Sequence, residues 1–170
     1  MKRISILLFS LSFCLMACKK EEKPLSGTVI DLNLQIKYVN TNNEDLLKSQ
    51  TPNYIDVADL DVFVMQGNER KRVYYNHLYA PKLIWVNKSE SNPSAPYDMT
   101  LCFDLAYVQN NKITMIIRYK DGTEDTFTTL INEEQKAFGN YITEKMWHNN
   151  ELFWDRRVPG SMGAHITLIK

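Results

Sequence analysis

The side chains that most often carry catalysis are few and widely spaced in this 170-residue chain. Its three histidines, His77, His148 and His165, have no zinc-binding spacing such as that of H-E-x-x-H. The segment GSMG at 160–163 lacks the G-x-S-x-G spacing of a nucleophile elbow. We therefore expect no enzyme activity and no bound cofactor or metal.

Two groups of carboxylates need separate consideration, namely Asp56, Asp59 and Asp61, and Asp121, Glu124 and Asp125. Calcium takes about six to eight oxygen ligands, and carboxylates on loops can supply some of them. Neither group has the spacing of an EF-hand loop, and no spacing selects a pair of glycosidase carboxylates. We expect these side chains to be solvated at strand edges, with a calcium site as the weaker alternative.

Aromatic side chains are the remaining source of binding chemistry. The segment YYNHLYAP at 74–81 contains Tyr74, Tyr75, His77 and Tyr79. Aromatic rings combine apolar faces with polar edges, which suits them to stack on sugars. Aromatic residues in sheets usually fill a β core or cover strand surfaces, which is the interpretation we favour here, with ligand binding as the alternative. These four residues are the candidate ligand contacts.

The N-terminus carries a different kind of chemistry, centred on a cysteine. A charge-free run at 4–15 follows Lys2 and Arg3. It is shorter than the roughly 20 residues that span a bilayer, and it has the length of the apolar part of a signal peptide. The following Leu-Met-Ala-Cys at 15–18 resembles the lipobox of bacterial lipoproteins. The resemblance implies a signal peptide at 1–17, cleaved before Cys18, and lipidation of Cys18 by a diacylglyceryl group and a fatty acid such as palmitate.

The residues after Cys18 bear on where the protein faces. The segment 18–25 is rich in charge, which predicts a solvated tether between lipid and domain. Within it, Lys20, Glu21 and Glu22 are similar to the surface-export signal of Bacteroidota lipoproteins. The similarity implies an outer-membrane protein that faces the cell exterior. A domain that faces the periplasm is the alternative.

Composition limits the partners of the mature chain. Loss of Lys2 and Arg3 with the signal peptide leaves a net charge of about −2. No basic stripe is present that would follow phosphates, which argues against nucleic acid. Cys102 is the one thiol left besides Cys18, so we expect no internal disulfide and a small buried hydrophobic role for Cys102.

Alternating apolar and polar residues predict strands along almost the whole of 26–170. The run TVIDLNLQIKYV points Ile30, Leu32, Leu34, Ile36 and Tyr38 to one face. About nine short strands with tight turns predict a single all-β domain, an antiparallel sandwich, with a small β-barrel as the alternative. We interpret the loops at 40–56 and 87–97 as crossovers between two sheets.

Three turns and one helix can be placed. Asn110-Asn111 and Asp121-Gly122 join three strands into a meander whose middle strand is central, and positive φ is expected at both residues of Asp121-Gly122. The segment 132–139 predicts a short helix. Asn149-Asn150 joins a last hairpin, in which simple alternation places Trp147, Leu152 and Trp154 together on the core face.

With these elements named, the mature chain looks like the small immunoglobulin-like lipoproteins of the Bacteroidota cell envelope. The segments that carry this resemblance are NEDLLKSQTPN at 43–53, the meander and MWHNNELFWD at 146–155. The resemblance implies an immunoglobulin-like fold and an envelope location, and it brings no catalytic residues. The expected function is a non-catalytic module that binds an envelope protein or builds an assembly. A glycan-binding module beside a nutrient-import system and a pilus-type subunit completed by strand donation are the alternatives.

Overall fold

The computed structural model describes residues 27–92 and 94–170, and these form an all-β sandwich of two mixed sheets without a closed barrel. The predicted signal peptide and tether, with Cys18, Lys20, Glu21 and Glu22, lie outside the described residues. Eleven strands are present in the described part, more than the nine expected: β1 (Ile30–Asp31), β2 (Asn33–Val39), β3 (Asp61–Gln66), β4 (Glu69–Arg72), β5 (Ile84–Asn87), β6 (Asp98–Cys102), β7 (Lys112–Arg118), β8 (Glu124–Ile131), β9 (Tyr141–His148), β10 (Glu151–Asp155) and β11 (His165–Ile169).

The large sheet has the order β1-β9-β8-β7-β3-β4, and β10 also pairs with β9. The small sheet has the order β11-β2-β6-β5. Most pairs are antiparallel, but β1 pairs with β9 and β11 pairs with β2 in parallel. We had expected purely antiparallel sheets. The two parallel pairs make both sheets mixed instead.

The first strand region belongs to both sheets. β1 lies on the large sheet, and after Leu32 the chain continues as β2 in the small sheet. Leu34, Ile36 and Tyr38 are fully buried as predicted, whereas Ile30 is 58% exposed. The alternation predicted one face for the whole run, and it fails at Ile30 because this residue pairs in the other sheet.

The crossovers between sheets are only partly where the sequence placed them. The loop at 40–56 lies between β2 in the small sheet and β3 in the large sheet, as predicted. The loop at 87–97 connects β5 and β6, which are neighbours in the same sheet, so the second crossover prediction is wrong. The segment between β4 and β5, which contains the tyrosine-rich run, makes that crossover instead.

The predicted meander is only partly present. Its middle and last strands, β7 and β8, are neighbours in the large sheet, but its first strand, expected at 97–108, is β6 of the small sheet, so that part of the prediction is wrong. β7 is central as predicted, between β8 and β3. Asn110 and Asn111 both have positive φ, as a tight turn before β7 requires. At the next turn only Gly122 has positive φ, at 84°. The Tyr119 amide donates to the Thr123 carbonyl, so three residues form this loop and the two-residue Asp-Gly turn is a wrong prediction.

The predicted helix is present as α1 (Glu133–Ala137). The Asn132 side chain accepts a hydrogen bond from the Gln135 amide, which caps its start. Gly139 has a φ of 81° after its end, where a residue with a side chain would be strained.

The last hairpin departs from simple alternation at one residue. Leu152 pairs with Trp147 as predicted, but Trp154 pairs with Met146, because the register shifts between Leu152 and Trp154. This β-bulge turns Trp154 to the inner face, where it is 8% exposed beside the buried Met146. Trp147 lies on the outer face and is only half-buried. The prediction that Trp147, Leu152 and Trp154 share the core face is therefore wrong.

Candidate functional site

The tyrosine loop, residues 74–81, contains the four side chains that the sequence singled out. Tyr79 is 100% exposed and Tyr74 is 61% exposed, and His77 is exposed as well. Tyr75 is half-buried and packs against the core. The structure therefore separates the four candidates into three that face solvent and one that anchors the loop.

Tyr75 holds the tyrosine loop against the 3₁₀ turn Leu105–Tyr107. Its hydroxyl donates to an Asp104 carboxylate oxygen at 2.7 Å and lies 3.0 Å from the Tyr107 hydroxyl. Burial, together with these two neighbours, raises the pKa of Tyr75. The Tyr75 amide also donates to the Pro81 carbonyl at 2.7 Å, which closes the loop.

A second anchor follows at Lys82. Its ammonium donates to the carbonyls of Val57, Ala58 and Leu60 at 3.4, 2.7 and 2.6 Å. These carbonyls belong to the 3₁₀ turn Val57–Asp59 and the residue after it. The loop is therefore tied at both ends, and its exposed tyrosines project from a fixed base.

A shallow depression of about 340 Å³ lies beneath the tyrosine loop, and we call it the aromatic platform; it is lined by Leu78, Tyr79, Ala80, Leu83, Trp85 and Cys102. Leu83 has a φ of 58°, and every other described non-glycine residue with positive φ is an asparagine. A leucine in this region is strained, and such strain is often found where a binding surface is shaped.

Cys102 lies at the aromatic platform rather than deep in the core. It is half-buried and has a free thiol. Burial raises the pKa of this thiol, and the Asp104 charge adds to the effect. The expectation of a small buried hydrophobic role is met only in part, because Cys102 is half-buried against the core, and the thiol is held in its neutral, less reactive form.

Trp85 is the residue of this surface that the sequence analysis missed. Ile84 is buried, so alternation along β5 turns Trp85 to the outer face of the small sheet. Its indole nitrogen donates to the Asn87 side-chain oxygen at 3.0 Å. The Asn87 amide nitrogen donates in turn to Asp98 and Thr100, both at 2.7 Å. The apolar run KLIWV at 82–86 predicts a strand that contains Trp85. Only the pairing of β5 with β6 shows that the Trp85 side chain lies on the outer face of the small sheet.

A larger opening, the end cleft, lies at one end of the sandwich and has a volume of about 680 Å³. Its walls include Tyr54, which is 47% exposed, and Tyr119. Its rim includes the ion pair of Asp59 and Lys120, at 3.1 Å. The volume falls within the usual range of small-ligand sites, about 300–1,000 Å³.

A polar network, the Asp125 cluster, borders the end cleft and joins the two sheets; it consists of Tyr38, Tyr119, Asp125, His148 and Lys170. The Asp125 carboxylate accepts from Lys170 and Tyr119, both at 2.6 Å, and lies 2.8 Å from the His148 ring nitrogen. Burial opposes ionisation of Asp125, but these hydrogen bonds outweigh it and lower its pKa to about 2.

The tyrosines of this cluster are neutral donors. The Tyr119 hydroxyl lies 2.8 Å from that of Tyr38, and burial raises the pKa of both. The Lys170 ammonium also lies 4.1 Å from the centre of the Tyr119 ring. The Asp125 charge is therefore compensated on all sides, which gives it a structural role rather than that of a free acid or base.

The histidines and carboxylates considered above do not assemble into a metal site. His77 contacts Tyr75, His148 contacts Asp125, and the His165 ring contacts the Gly163 carbonyl. Within residues 27–92 and 94–170, no three His, Cys, Asp or Glu side chains are placed to share a metal ion. No helix in that same part of the chain is long and apolar enough to cross a membrane.

Comparison of the chain with protein-family models, with curated proteins and with solved structures finds no match.

Proposed function

We propose that the chain is a non-catalytic, lipid-anchored binding module of the bacterial cell envelope. The single observation that carries the binding part is the aromatic platform, where Trp85 is held by Asn87 beside the wholly exposed Tyr79. Fixed aromatic rings at a surface are typical of recognition sites, because they contribute contact area at a low cost in conformational entropy. The Leu-Met-Ala-Cys pattern at 15–18 supports the lipid anchor, and Lys20, Glu21 and Glu22 support an outer-membrane protein that faces the exterior.

The chemistry of the described residues favours binding over catalysis. Asp125, the carboxylate with the clearest low pKa, is bound by Lys170, Tyr119 and His148. The histidines are separated, and Cys102 keeps its proton. A catalytic site needs a reactive group that is near its partner and open to substrate, and these groups do not combine those two properties.

The experiment is affinity capture from intact cells with the full-length, lipidated and tagged protein. We expect the wild type to retain a protein or polysaccharide, Trp85→Ala to lose it, and Trp147→Ala to retain it. Trp147 is the matched control because it is, like Trp85, a half-buried tryptophan, but it lies on the outer face of the other sheet. Identical capture by all three proteins, or none by the wild type, would contradict the proposal.

The end cleft is a second candidate site for a partner. Tyr54 is the exposed aromatic side chain at its wall, and the Asp59–Lys120 pair offers both charges at its rim. Such a mixture suits an envelope-protein partner in an assembly. Capture that is lost in Tyr54→Ala and kept in Trp85→Ala would assign the partner to the cleft.

Strand donation, as in a pilus-type subunit, is the less supported alternative. The edge strand β4 consists of Glu69, Arg70, Lys71 and Arg72. Charged side chains on an edge strand discourage the addition of a further strand. This edge therefore does not favour completion by a neighbour.

A further inference from the structure

We propose that the outer face of the small sheet binds an uncharged polysaccharide, with one sugar ring stacked on Trp85 at the aromatic platform. The inference rests on the proposed binding function and names the class of its ligand. Three properties of this face carry it: a row of paired side chains that is exposed at Gln35 and His165, a preorganised tryptophan and an absence of net charge.

The row runs straight across all four strands of the small sheet. Trp85 pairs with Thr100, Thr100 pairs with Gln35, and Gln35 pairs with His165. Directly paired residues project to the same face, so these four side chains form one line, which we call the polar row. Strands lie about 4.8 Å apart, so the line extends for about 14 Å, roughly the length of three sugar rings.

The polar row offers the hydrogen-bonding groups that sugar hydroxyls require. The Gln35 amide and the His165 imidazole are exposed. Thr100 is only 5% exposed and its hydroxyl accepts from Asn87, so it supports the row rather than contacting a ligand. The amide and the imidazole each provide donors and acceptors, and a hydroxyl group can engage either. The row therefore matches a ligand that presents hydroxyls at regular intervals beyond an apolar ring face.

Trp85 is already fixed in the orientation that it would need. Its indole nitrogen is bound by Asn87, and Asn87 is bound by Asp98 and Thr100. A side chain that is held before binding loses little freedom when a ligand arrives. The exposed Tyr79 borders the same depression and supplies a second aromatic surface next to it.

The charge of the face selects an uncharged ligand. Of the residues on the outer face of β2, β5, β6 and β11, Lys37 and Asp98 carry opposite charges. The outer face of the large sheet differs, because it carries many charged side chains, among them Asp61, Arg70, Arg72, Lys112, Arg118, Glu124, Lys145 and Asp155. Its tryptophan, Trp147, has the Lys112 ammonium 5.4 Å from its ring centre. Trp147 is therefore the matched control for Trp85, since it is a tryptophan on an outer face that is surrounded by charged side chains.

The test is native affinity electrophoresis of the full-length protein in detergent, through gels that contain one polysaccharide each. The neutral probes are galactomannan, xyloglucan and a β-1,3-glucan, and the charged probe is polygalacturonate. We expect at least one neutral probe to retard the wild type. We expect Trp85→Ala to bind it about tenfold more weakly and Trp147→Ala to bind it unchanged.

Tyr79→Ala keeps the test decisive if Trp85→Ala is unstable, because the Tyr79 side chain is wholly exposed and makes no core contact. This variant should bind the neutral probe several-fold more weakly at unchanged melting temperature. The inference is overturned if no neutral probe retards the wild type, if only polygalacturonate does, or if Trp147→Ala weakens binding as much as Trp85→Ala. If affinity capture nonetheless yields a protein that depends on Trp85, the proposed binding function stands and only the glycan inference fails.

Discussion

The carboxylate of Asp125 and the ammonium of Lys170 lie 2.6 Å apart, across the join between the two sheets. Asp125 belongs to β8 of the large sheet, and Lys170 directly follows β11 of the small sheet. The pair is therefore a contact that forms only when the sandwich is assembled. Its strength should be visible in the stability of the whole domain.

Asp125→Asn should lower the free energy of unfolding at pH 7 by about 2–3 kcal/mol, because it leaves Lys170 without its carboxylate. The folded-state pKa of Asp125 is about 2, below its ordinary value of 3.8. The wild type therefore keeps this stabilisation above about pH 4 and loses it as the pH falls from 4 towards 2. Denaturant melts from pH 7 to pH 2 should show the difference between the two proteins shrinking over that window.

Glu151→Gln is the control for the removal of charge, because Glu151 is exposed on β10. It should change the unfolding free energy by no more than about 0.5 kcal/mol at any pH. A difference between wild type and Asp125→Asn that stays constant down to pH 2 would count against the assigned role of Asp125.

Trp154→Ala should lower the unfolding free energy by about 3–5 kcal/mol, since Trp154 is buried beside Met146. Trp147→Ala should lower it by no more than about 1 kcal/mol, since Trp147 is only half-buried and lies on the outer face, away from the core. Denaturant melts of the two variants measure both values. Equal costs would show that the bulge between Leu152 and Trp154 does not separate the two side chains.

Asn150→Ala should lower the unfolding free energy by about 1 kcal/mol, because Asn150 has a φ of 70° and alanine is strained there. Asn150→Gly should match the wild type or exceed its stability. Asn68→Ala is the matched control in the turn between β3 and β4, where Gly67 and not Asn68 has positive φ. Thermal melts of the three variants test the assignment, and an equal loss at Asn68 would contradict it.

Labelling with a clickable fatty acid should tag the wild-type protein but not Cys18→Ala. The expectation rests on the lipobox-like residues 15–18, where the thiol of Cys18 is the acceptor. Cys102→Ala is the control, because that thiol lies in the folded domain and should not affect labelling. Undiminished labelling of Cys18→Ala would rule out the lipid anchor as we propose it.

Protease added to intact cells should remove the domain if Lys20, Glu21 and Glu22 direct it to the exterior. Replacement of both glutamates by glutamine should retain the protein inside and protect it. A periplasmic protein serves as the control for cell integrity. Complete protection of the wild type would instead favour a domain that faces the periplasm.

Local sequence signals predicted much of this fold because they depend on neighbouring residues. The paired asparagines adopt positive φ at both of their turns, and Asn132 caps the short helix. The sequence could not predict the bulge after Leu152, because one extra residue reverses the side of every later residue without any change in composition.

The candidate site was less predictable than the fold. Tyr74 and Tyr79 are exposed as a binding surface requires, but Tyr75 is committed to Asp104 and Tyr107. The pairing of Trp85 with Thr100 places its side chain on the outer face, and the hydrogen bond to Asn87 fixes its orientation there. These relationships depend on strand register between distant segments, and local alternation contains no information about that register.

The passage of the chain from β1 to β2 at Leu32 determines how the domain carries force. A pull from residues before Gly27, where we propose the anchor, first loads β1, which pairs with β9 of the large sheet, and then reaches β2 through Leu32. β2 is held on one side by β6 and on the other by β11, so a load along it is shared by both rows of hydrogen bonds. Gln35 of the polar row lies on this same strand. Tension between a bound polysaccharide and the membrane would therefore be shared by both sheets, through β1 at the edge of the large sheet and β2 inside the small sheet.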